Sequence, residues 1–316
     1  MFKISSPLLF ALLLIPLLNF AQYTDQINSN RPGETMSAFA VGKSVIQVET
    51  GAYGITQKHH LLNYKTNGYG IDATLRYGMF MEKLELIADI QYQSQVYEAL
   101  YTKTDQKALK QTILGAKYLL YDPFKNHEKK INVYSWNANR KFSWRQLIPA
   151  VSVFAGANFT AANNPYHFSP NASISPKAIL ITQNHLGDGT WVFVTNTIAD
   201  YIGTEYPSYG YALTLTKGFN DKWSGFVENQ GYKSDFYSDA IVRAGAAYLL
   251  TDDLQIDASA SASLKNTPSI FYGGLGFSWR YDGNYNEVRT PIGDPKALKA
   301  AEKTKKGTKK KKFLIF

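Results

Sequence analysis

The chain contains no cysteine, only five histidines, and beyond its first 21 residues no apolar run long enough for a helix to cross a bilayer. Without cysteine there is no disulfide framework, no thiolate metal site and no lipid anchor on an N-terminal cysteine. Without a run of about 20 apolar residues the mature chain is not a helical membrane protein. Strong charge is also missing from most of the sequence. The formal net charge is +9, but residues 291–316 hold nine lysines against Asp294 and Glu302, a surplus of seven, so the remainder is close to neutral.

Aromatic residues are abundant, with 22 tyrosines and 18 phenylalanines among 316 residues. The pattern around them is clearest near the end of the chain. Leu254, Ile256, Ala258, Ala260, Ala262 and Leu264 alternate with Gln255, Asp257, Ser259, Ser261, Ser263 and Lys265. After Asn266-Thr267-Pro268, the residues Phe271, Gly273, Leu275, Phe277, Trp279 and Tyr281 alternate with Tyr272, Gly274, Gly276, Ser278 and Arg280. Successive side chains of a strand point to opposite faces, so each stretch has one apolar and one polar face over more residues than a typical soluble strand. That predicts strands crossing a bilayer at a tilt, apolar face to lipid and polar face to a lumen; an edge hairpin of a soluble β-sandwich is the alternative.

Residues 1–21 carry Lys3, an apolar core at 7–18 and a small residue, Ala21, before Gln22. This is the composition of a secretory signal peptide cleaved after Ala21, with a retained anchor as the alternative. Residues 22–43 form a leader, and Asn30-Arg31-Pro32-Gly33-Glu34-Thr35-Met36-Ser37, Val41-Gly42-Lys43 and Gln47-Val48-Glu49-Thr50-Gly51 follow in order. These motifs, with Leu249-Leu250-Thr251-Asp252-Asp253-Leu254 and Gly274-Leu275-Gly276-Phe277-Ser278-Trp279, resemble the outer-membrane transporter-like proteins of the MetA-pathway phenol-degradation type. Many members have Asp where this chain has Asn30. The resemblance implies an outer-membrane barrel, with aromatic or other hydrophobic compounds as solutes, and it assigns Arg31, Pro32, Gly33 and Thr35 to a family N-terminal motif.

Alternation predicts an all-β fold, an antiparallel transmembrane β-barrel of the outer membrane with about twelve strands, spanning residues 44–282. The strands fall at 44–56, 67–79, 83–97, 107–121, 145–159, 174–185, 190–202, 208–218, 222–233, 239–250, 253–265 and 268–282. Tight links at Phe80-Met81-Glu82, Gly187-Asp188-Gly189, Phe219-Asn220-Asp221 and Thr251-Asp252 alternate with longer polar ones at 57–66, 98–106 and 160–173. Short periplasmic turns and longer outer loops are the rule for such barrels, which puts the mature N-terminus in the periplasm. The insertion 122–144 breaks the rule. Its Lys125, Lys129, Lys130, Arg140 and Lys141, interleaved with Phe124, Tyr134, Trp136, Phe142 and Trp144, suit a periplasmic flap at the lipid headgroups; single-stranded nucleic-acid stacking is the alternative.

The polar faces give a predicted lumen. Strands one to four supply Glu49, Asp72, Arg76, Glu85, Asp89 and Lys117, and the last four supply Glu228, Arg243, Asp257 and Arg280, six carboxylates against four cations. Charge facing mid-bilayer would cost roughly 2–4 kcal/mol for each Arg or Lys, so these residues are expected inside. The faces of strands five and six stay open. Two readings follow: a polar, mixed-charge conduit for small solutes, or side chains paired into a plug that closes the barrel as an envelope scaffold. The leader is too short to be a plug domain but reaches the periplasmic mouth, where Arg31 is expected to meet an acid such as Glu49.

Tyr272, Gly274, Phe277 and Trp279 stand at the polar-x-Gly-x-x-aromatic-x-aromatic spacing of a final-strand assembly signal, which implies the barrel-assembly machinery as a partner. The Lys-rich tail 283–316 reads as a solvated disordered run; cell-wall polymer or anionic lipid is its expected contact, and export denies it nucleic acid. No cofactor is implied. His59, His60, His127, His167 and His185 all fall in loops or at turns, so no nucleophile and base pair is evident, no metal site is expected, and a barrel hydrolase is a third reading.

Overall fold

The computed structural model describes residues 27–124, 134, 144–167, 172–187, 189–235 and 237–282. The signal peptide, Asp188, most of the 122–144 insertion and the Lys-rich tail lie outside the described residues. The strands are β1 (Ile46–His59), β2 (Tyr64–Gly78), β3 (Leu84–Ala99), β4 (Thr102–Tyr121), β5 (Ala150–Phe159), β6 (Ile174–Leu186), β7 (Trp191–Asp200), β8 (Ser208–Gly218), β9 (Trp223–Lys233), β10 (Ser238–Thr251), β11 (Leu254–Ser263) and β12 (Ser269–Tyr281). Each pairs antiparallel with its neighbours in sequence, and β1 pairs with β12, so the twelve strands close into a barrel without a free lateral edge. Closure lets paired strands satisfy one another's backbone groups within the wall, which is what allows a sheet to stand in hydrocarbon.

The wall sorts side chains by the period of two. On β11 Ile256 is 43% exposed and its neighbour Asp257 is 6% exposed; on β12 Leu275 is 68% exposed and Ser278 is fully buried. The outer face carries aromatic residues near both ends. Tyr77, Tyr118, Trp191, Trp223 and Trp279 lie toward the tight turns, and Tyr69, Phe159, Tyr209 and Phe271 toward the longer loops. An apolar exterior flanked by two aromatic girdles is the surface of a membrane-spanning barrel.

The twelve strands fall where the sequence places them, and the largest shifts are at two links and one strand start. The links expected at 57–66 and 98–106 shrink to residues 60–63 and 100–101, because β1–β2 and β3–β4 stay paired almost to their tips, as in Lys58 with Lys65 and Glu98 with Lys103. Polar composition marked these tips as loops although their backbones continue the ladder. The fifth strand starts at Ala150 rather than 145, since Trp144–Leu147 forms a single 3-10 turn whose Gln146 bonds the Gly187 carbonyl at 2.5 Å.

Strand β4 is 20 residues long and β5 only 10, and their pairing begins at Ile113, so the loop-side part of β4 has no β5 partner. The β5–β6 loop covers that edge with side chains: Asn164 Nδ2 donates to the Leu109 carbonyl (2.7 Å), Tyr166 O–H to Gln106 (3.0 Å), and His167 Nε2 lies 2.9 Å from the Lys110 carbonyl. Neutral His167 fits both of its contacts, Nε2–H donating to Lys110 and Nδ1 accepting from Tyr201 O–H at 3.2 Å.

The inside of β3 to β7 holds an apolar cluster beside buried polar residues such as Glu85 and Lys117. Ile87, Ile113, Phe154, Ile179, Ile181 and Val194 form a cluster with Ala38 of the leader, and Met36 and Phe39 pack against it. This settles β5 and β6: Ser152, Phe154, Ile179, Ile181 and Gln183 face in, while Leu180 and Ile174 face out. Their alternation was unreadable because both faces are greasy.

The absence of cysteine makes single-cysteine substitution background-free. In bilayers, a hydrocarbon-phase probe should label Ile256→Cys and spare Asp257→Cys; the opposite result would turn the wall inside out. Burial holds the His167 pKa below the ordinary imidazole value against the opposing push of the hydrogen bond to the Lys110 carbonyl and of the Asp200 charge, with the Lys110 ammonium adding to the depression. A depressed folded pKa means that the loop's contribution is present in the neutral form and is lost as pH falls through the imidazole range. Hydrogen-exchange protection of residues 164–167 should therefore decline from about pH 7 to about pH 5.

Candidate functional site

The leader enters the barrel and crosses its interior. Residues 27–43 contain no strand or helix, so their backbone groups have no partners of their own, and burial without partners is costly. The wall supplies them. Among N–H donors, Asn30 reaches Glu49 (3.2 Å), Glu34 and Thr35 reach Glu228 (3.0 and 3.2 Å), Ala38 reaches Gln183 (2.9 Å) and Val41 reaches Glu85 (3.0 Å). Among carbonyls, Asn28 accepts from Arg76 (2.7 Å), Ser37 and Phe39 from Lys117 (2.9 and 3.0 Å), and Ala38 from Ser152 (2.5 Å). The Asn196 amide, oriented to satisfy both its ends, brackets the N–H and C=O of Met36.

Side chains complete the circle. Thr35 bonds Thr214 and Glu228, Glu34 pairs with Arg243 (3.2 Å), and Ser29 bonds Ser278 (2.6 Å). With Arg31 bound to Asp257 of β11, every one of the twelve strands places at least one side chain on the leader.

Arg31 has the most specific seat. Asp72, Gly51, Gly276 and Asp257 are consecutive partners in one row across β2, β1, β12 and β11. The guanidinium lies over the two glycines, where a Cβ would overlap it, and bridges the flanking carboxylates: Nη1 to Asp72, Nε and Nη2 to Asp257 at 3.3 Å each. The expected Arg31–Glu49 pair is therefore corrected. Glu49 takes the Asn30 N–H and Arg76 instead, because the two-aspartate row offers Arg31 a flat floor and two acceptors. Asn30 in turn uses its side-chain oxygen to accept the Ser37 N–H at 2.9 Å, which closes the leader on itself.

Of the other residues proposed for the lumen, Arg76 is fully buried between Glu49 (2.9 Å) and Glu85 (2.6 Å), and Lys117 joins Glu85 at 3.2 Å. Arg243 pairs with Glu228 at 2.7 Å. Asp89 accepts from Thr74 and Gln111, both at 3.0 Å. Arg280 is buried and pairs with Asp282 at 2.9 Å. Pro32 and Gly33 ride in the leader, with Gly33 close against Glu228, where a Cβ would crowd the carboxylate. Of the final-strand signal, Phe277 and Trp279 face outward, while Tyr272 turns inward and meets Tyr53 with ring centroids 6.0 Å apart. Gly274 is paired with Tyr53 across the β1–β12 seam.

Sequence reasoning missed Gln183, Ser152 and Thr214 as leader contacts, and the Lys177–Asp200 pair at 2.8 Å. Lys177 had a legible signal, since a lysine within an otherwise apolar strand has only the inward side open to it. His185, placed at a turn by the sequence, sits near the end of β6, with Gln183 at 2.9 Å and its ring against Phe39 and Phe124. His59 accepts the Leu62 N–H in the β1–β2 tip, and His127 lies outside the described residues.

Replacing Arg76 with Met leaves Glu49 and Glu85 buried without their shared cation. It should lower unfolding stability in detergent by about 3–5 kcal/mol, with partial recovery on adding Glu85→Gln, as read by urea titration. Gly51→Val with Gly276→Val should unseat Arg31 and make the leader accessible to protease while the barrel keeps its heat-modifiable gel migration; an unchanged cleavage pattern would contradict the glycine floor.

No curated protein matches the sequence significantly. Among solved structures, an outer membrane channel from Pseudomonas putida F1 superposes with a TM-score of 0.49 at 10% identity, covering 81% of this chain and 100% of its own. The translocator domain of the autotransporter NalP from Neisseria meningitidis gives 0.48 at 9% identity, covering 76% of this chain and 89% of its own. The CymD monoaromatic hydrocarbon channel gives 0.40 at 11% identity, covering 78% and 90%. Residues 29–281, from within the leader to the last residue of the barrel, match the family described as "Putative MetA-pathway of phenol degradation", and the chain belongs to that family.

Proposed function

We propose that the protein is a passive outer-membrane channel for small solutes in which the leader forms the constriction. The observation that carries this reading is the mode of attachment. Apart from the Ile27 N–H on the Asp252 carbonyl, the contacts that hold the leader are made by side chains, and it takes no place in the closed ladder of the strands, so it can move aside without costing the barrel any strand pairing. Glu49, Asp72, Arg76, Glu85, Asp89, Lys117, Glu228, Arg243, Asp257 and Arg280 then line a mixed-charge lumen with limited charge preference. The family's description points to phenolic compounds as the solute class, and the tyrosines above the Arg31 seat, Tyr53 and Tyr272, suit passing aromatic rings. In this reading the leader lies at the periplasmic mouth, and Tyr272, Gly274, Phe277 and Trp279 guide insertion by the barrel-assembly machinery.

A second reading, a closed barrel serving as an envelope scaffold, is favoured by the leader's attachment to all twelve strands. Planar-bilayer conductance separates the two. The full chain should give small, flickering steps, and deletion of residues 27–43, or Arg31→Gln with Glu228→Gln, should raise unit conductance severalfold. Variants that fold by heat-modifiable migration yet pass no more current than the parent would leave the scaffold.

A further inference from the structure

The lipid-facing wall carries a groove that the channel does not use. It has a volume of about 790 Å3 and runs across five neighbouring strands, β2, β1, β12, β11 and β10. Tyr69, Gly54, Gly273, Ala260 and Ala244 are successive partners in one row, so four adjacent outward positions carry at most a methyl group. The space above them is open: a Cβ on Gly54 would meet no atom within 4 Å, and one on Gly273 would meet only the edge of Phe271 at 3.8 Å. Tyr69 and Leu275 stand as walls.

Two charges face the same way at the loop end of this groove. Lys58 shares the outward face of β1 with Gly54, Lys65 shares that of β2 with Tyr69, and the two lysines are direct cross-strand partners. Glu98 is the direct partner of Lys65 on β3, but its carboxylate is bonded to Lys103 at 2.6 Å, so the row Lys58, Lys65, Glu98, Lys103 keeps a surplus of two positive charges, and neither Lys58 nor Lys65 lies within ion-pair distance of an acid among the described residues. Like charges directly opposite on paired strands are unfavourable unless an anion sits between them.

We propose that this wall is a binding site for one phosphorylated acyl lipid of the outer leaflet, its phosphate between Lys58 and Lys65 and an acyl chain along the Gly54–Gly273 floor. The inference rests on the membrane-barrel reading above. Lipid tails are as apolar as any other part of the wall, so apolar area alone selects nothing. Preference for one lipid over its neighbours has to come from shape and charge, and here a recess and a lysine pair occupy adjoining parts of the same two strands. Lysines placed near a membrane surface attract anionic headgroups strongly enough for two of them to set a preference.

The test uses the full chain purified in detergent and native mass spectrometry with bisphosphorylated lipid A, the same lipid A dephosphorylated, and inorganic phosphate as competitor. The wild type should retain one lipid A with a preference of about 30-fold over the dephosphorylated form. Lys58→Gln with Lys65→Gln should abolish that preference. Gly54→Leu with Gly273→Leu, which puts side chains into the recess at two positions where a Cβ meets no atom closer than 3.8 Å, should lose both lipids. Equal retention of the two lipids by the wild type, or undiminished retention by the leucine variant, overturns the proposal. Displacement by millimolar inorganic phosphate with no effect of the leucines marks a phosphate contact only and also overturns it. Loss of heat-modifiable migration, or absence of the wild type from the outer-membrane fraction, would instead strike the barrel reading itself.

Discussion

A chain segment without secondary structure can lie inside a β-barrel only if the wall's side chains hydrogen-bond its backbone. That constraint explains the composition of the interior. Glutamates at 49, 85 and 228 accept N–H groups, Arg76 and Lys117 donate to carbonyls, and Gln183 and Ser152 serve Ala38, the leader residue buried within the apolar cluster. The same side chains that look like a charged pore lining are thus mostly engaged in making a strand-free peptide soluble inside the barrel. Their charges are also paired with one another, Arg76 with Glu49 and Glu85, Arg243 with Glu228, so that no element of the contact leaves a lone buried ion.

Space is managed by glycine in the wall, and in two places by a cross-strand pair of glycines. Gly51 and Gly276 pair across the β1–β12 seam and give the Arg31 guanidinium a flat floor; Gly115 and Gly156 pair across β4–β5 and do the same for the ring of Phe154. A barrel of eight strands is filled by its own side chains and one of sixteen leaves a water channel. Twelve strands enclose room for one further peptide, provided that the wall is thinned where planar groups lie down. One half of the interior is then electrostatic and the other apolar, and the leader matches both, with Arg31 and Glu34 on one side and Met36, Ala38 and Phe39 on the other.

The closed twelve-strand barrel was legible because lipid and lumen impose opposite demands on alternate residues, as Ile256 and Asp257 do within one strand. The faces of β5 and β6 were not, since Phe154, Ile179 and Ile181 bury an apolar inner side that looks like the lipid-facing one. The leader's role was hidden for a different reason. Its contacts span sequence separations such as Arg31 to Asp257 and Thr35 to Glu228, and which acid Arg31 reaches depends on the register of four strands rather than on proximity in sequence. The one local hint was the placement of glycine at Gly51 and Gly276 among otherwise polar inward positions, which marks a spot where something must approach the backbone.

The charge pattern bears on what could pass if the leader moves. Arg31 and Glu34 cancel within the leader, and each meets opposite charge on the wall, Asp72 and Asp257 for the first and Arg243 for the second. Withdrawal therefore leaves the net charge of the lumen unchanged, while it exposes acidic and basic groups on different sides of the same cross-section. In the channel proposed above, such a section would neither repel nor concentrate ions of one sign strongly. Asp89, held by Thr74 and Gln111 with no cation at its carboxylate among the described residues, adds an acceptor beyond the leader's reach. Tyr53 and Tyr272, with ring centroids 6.0 Å apart, lie on the same inner face as these carboxylates and amides, so the interior beside the leader sets aromatic faces next to hydrogen-bonding groups.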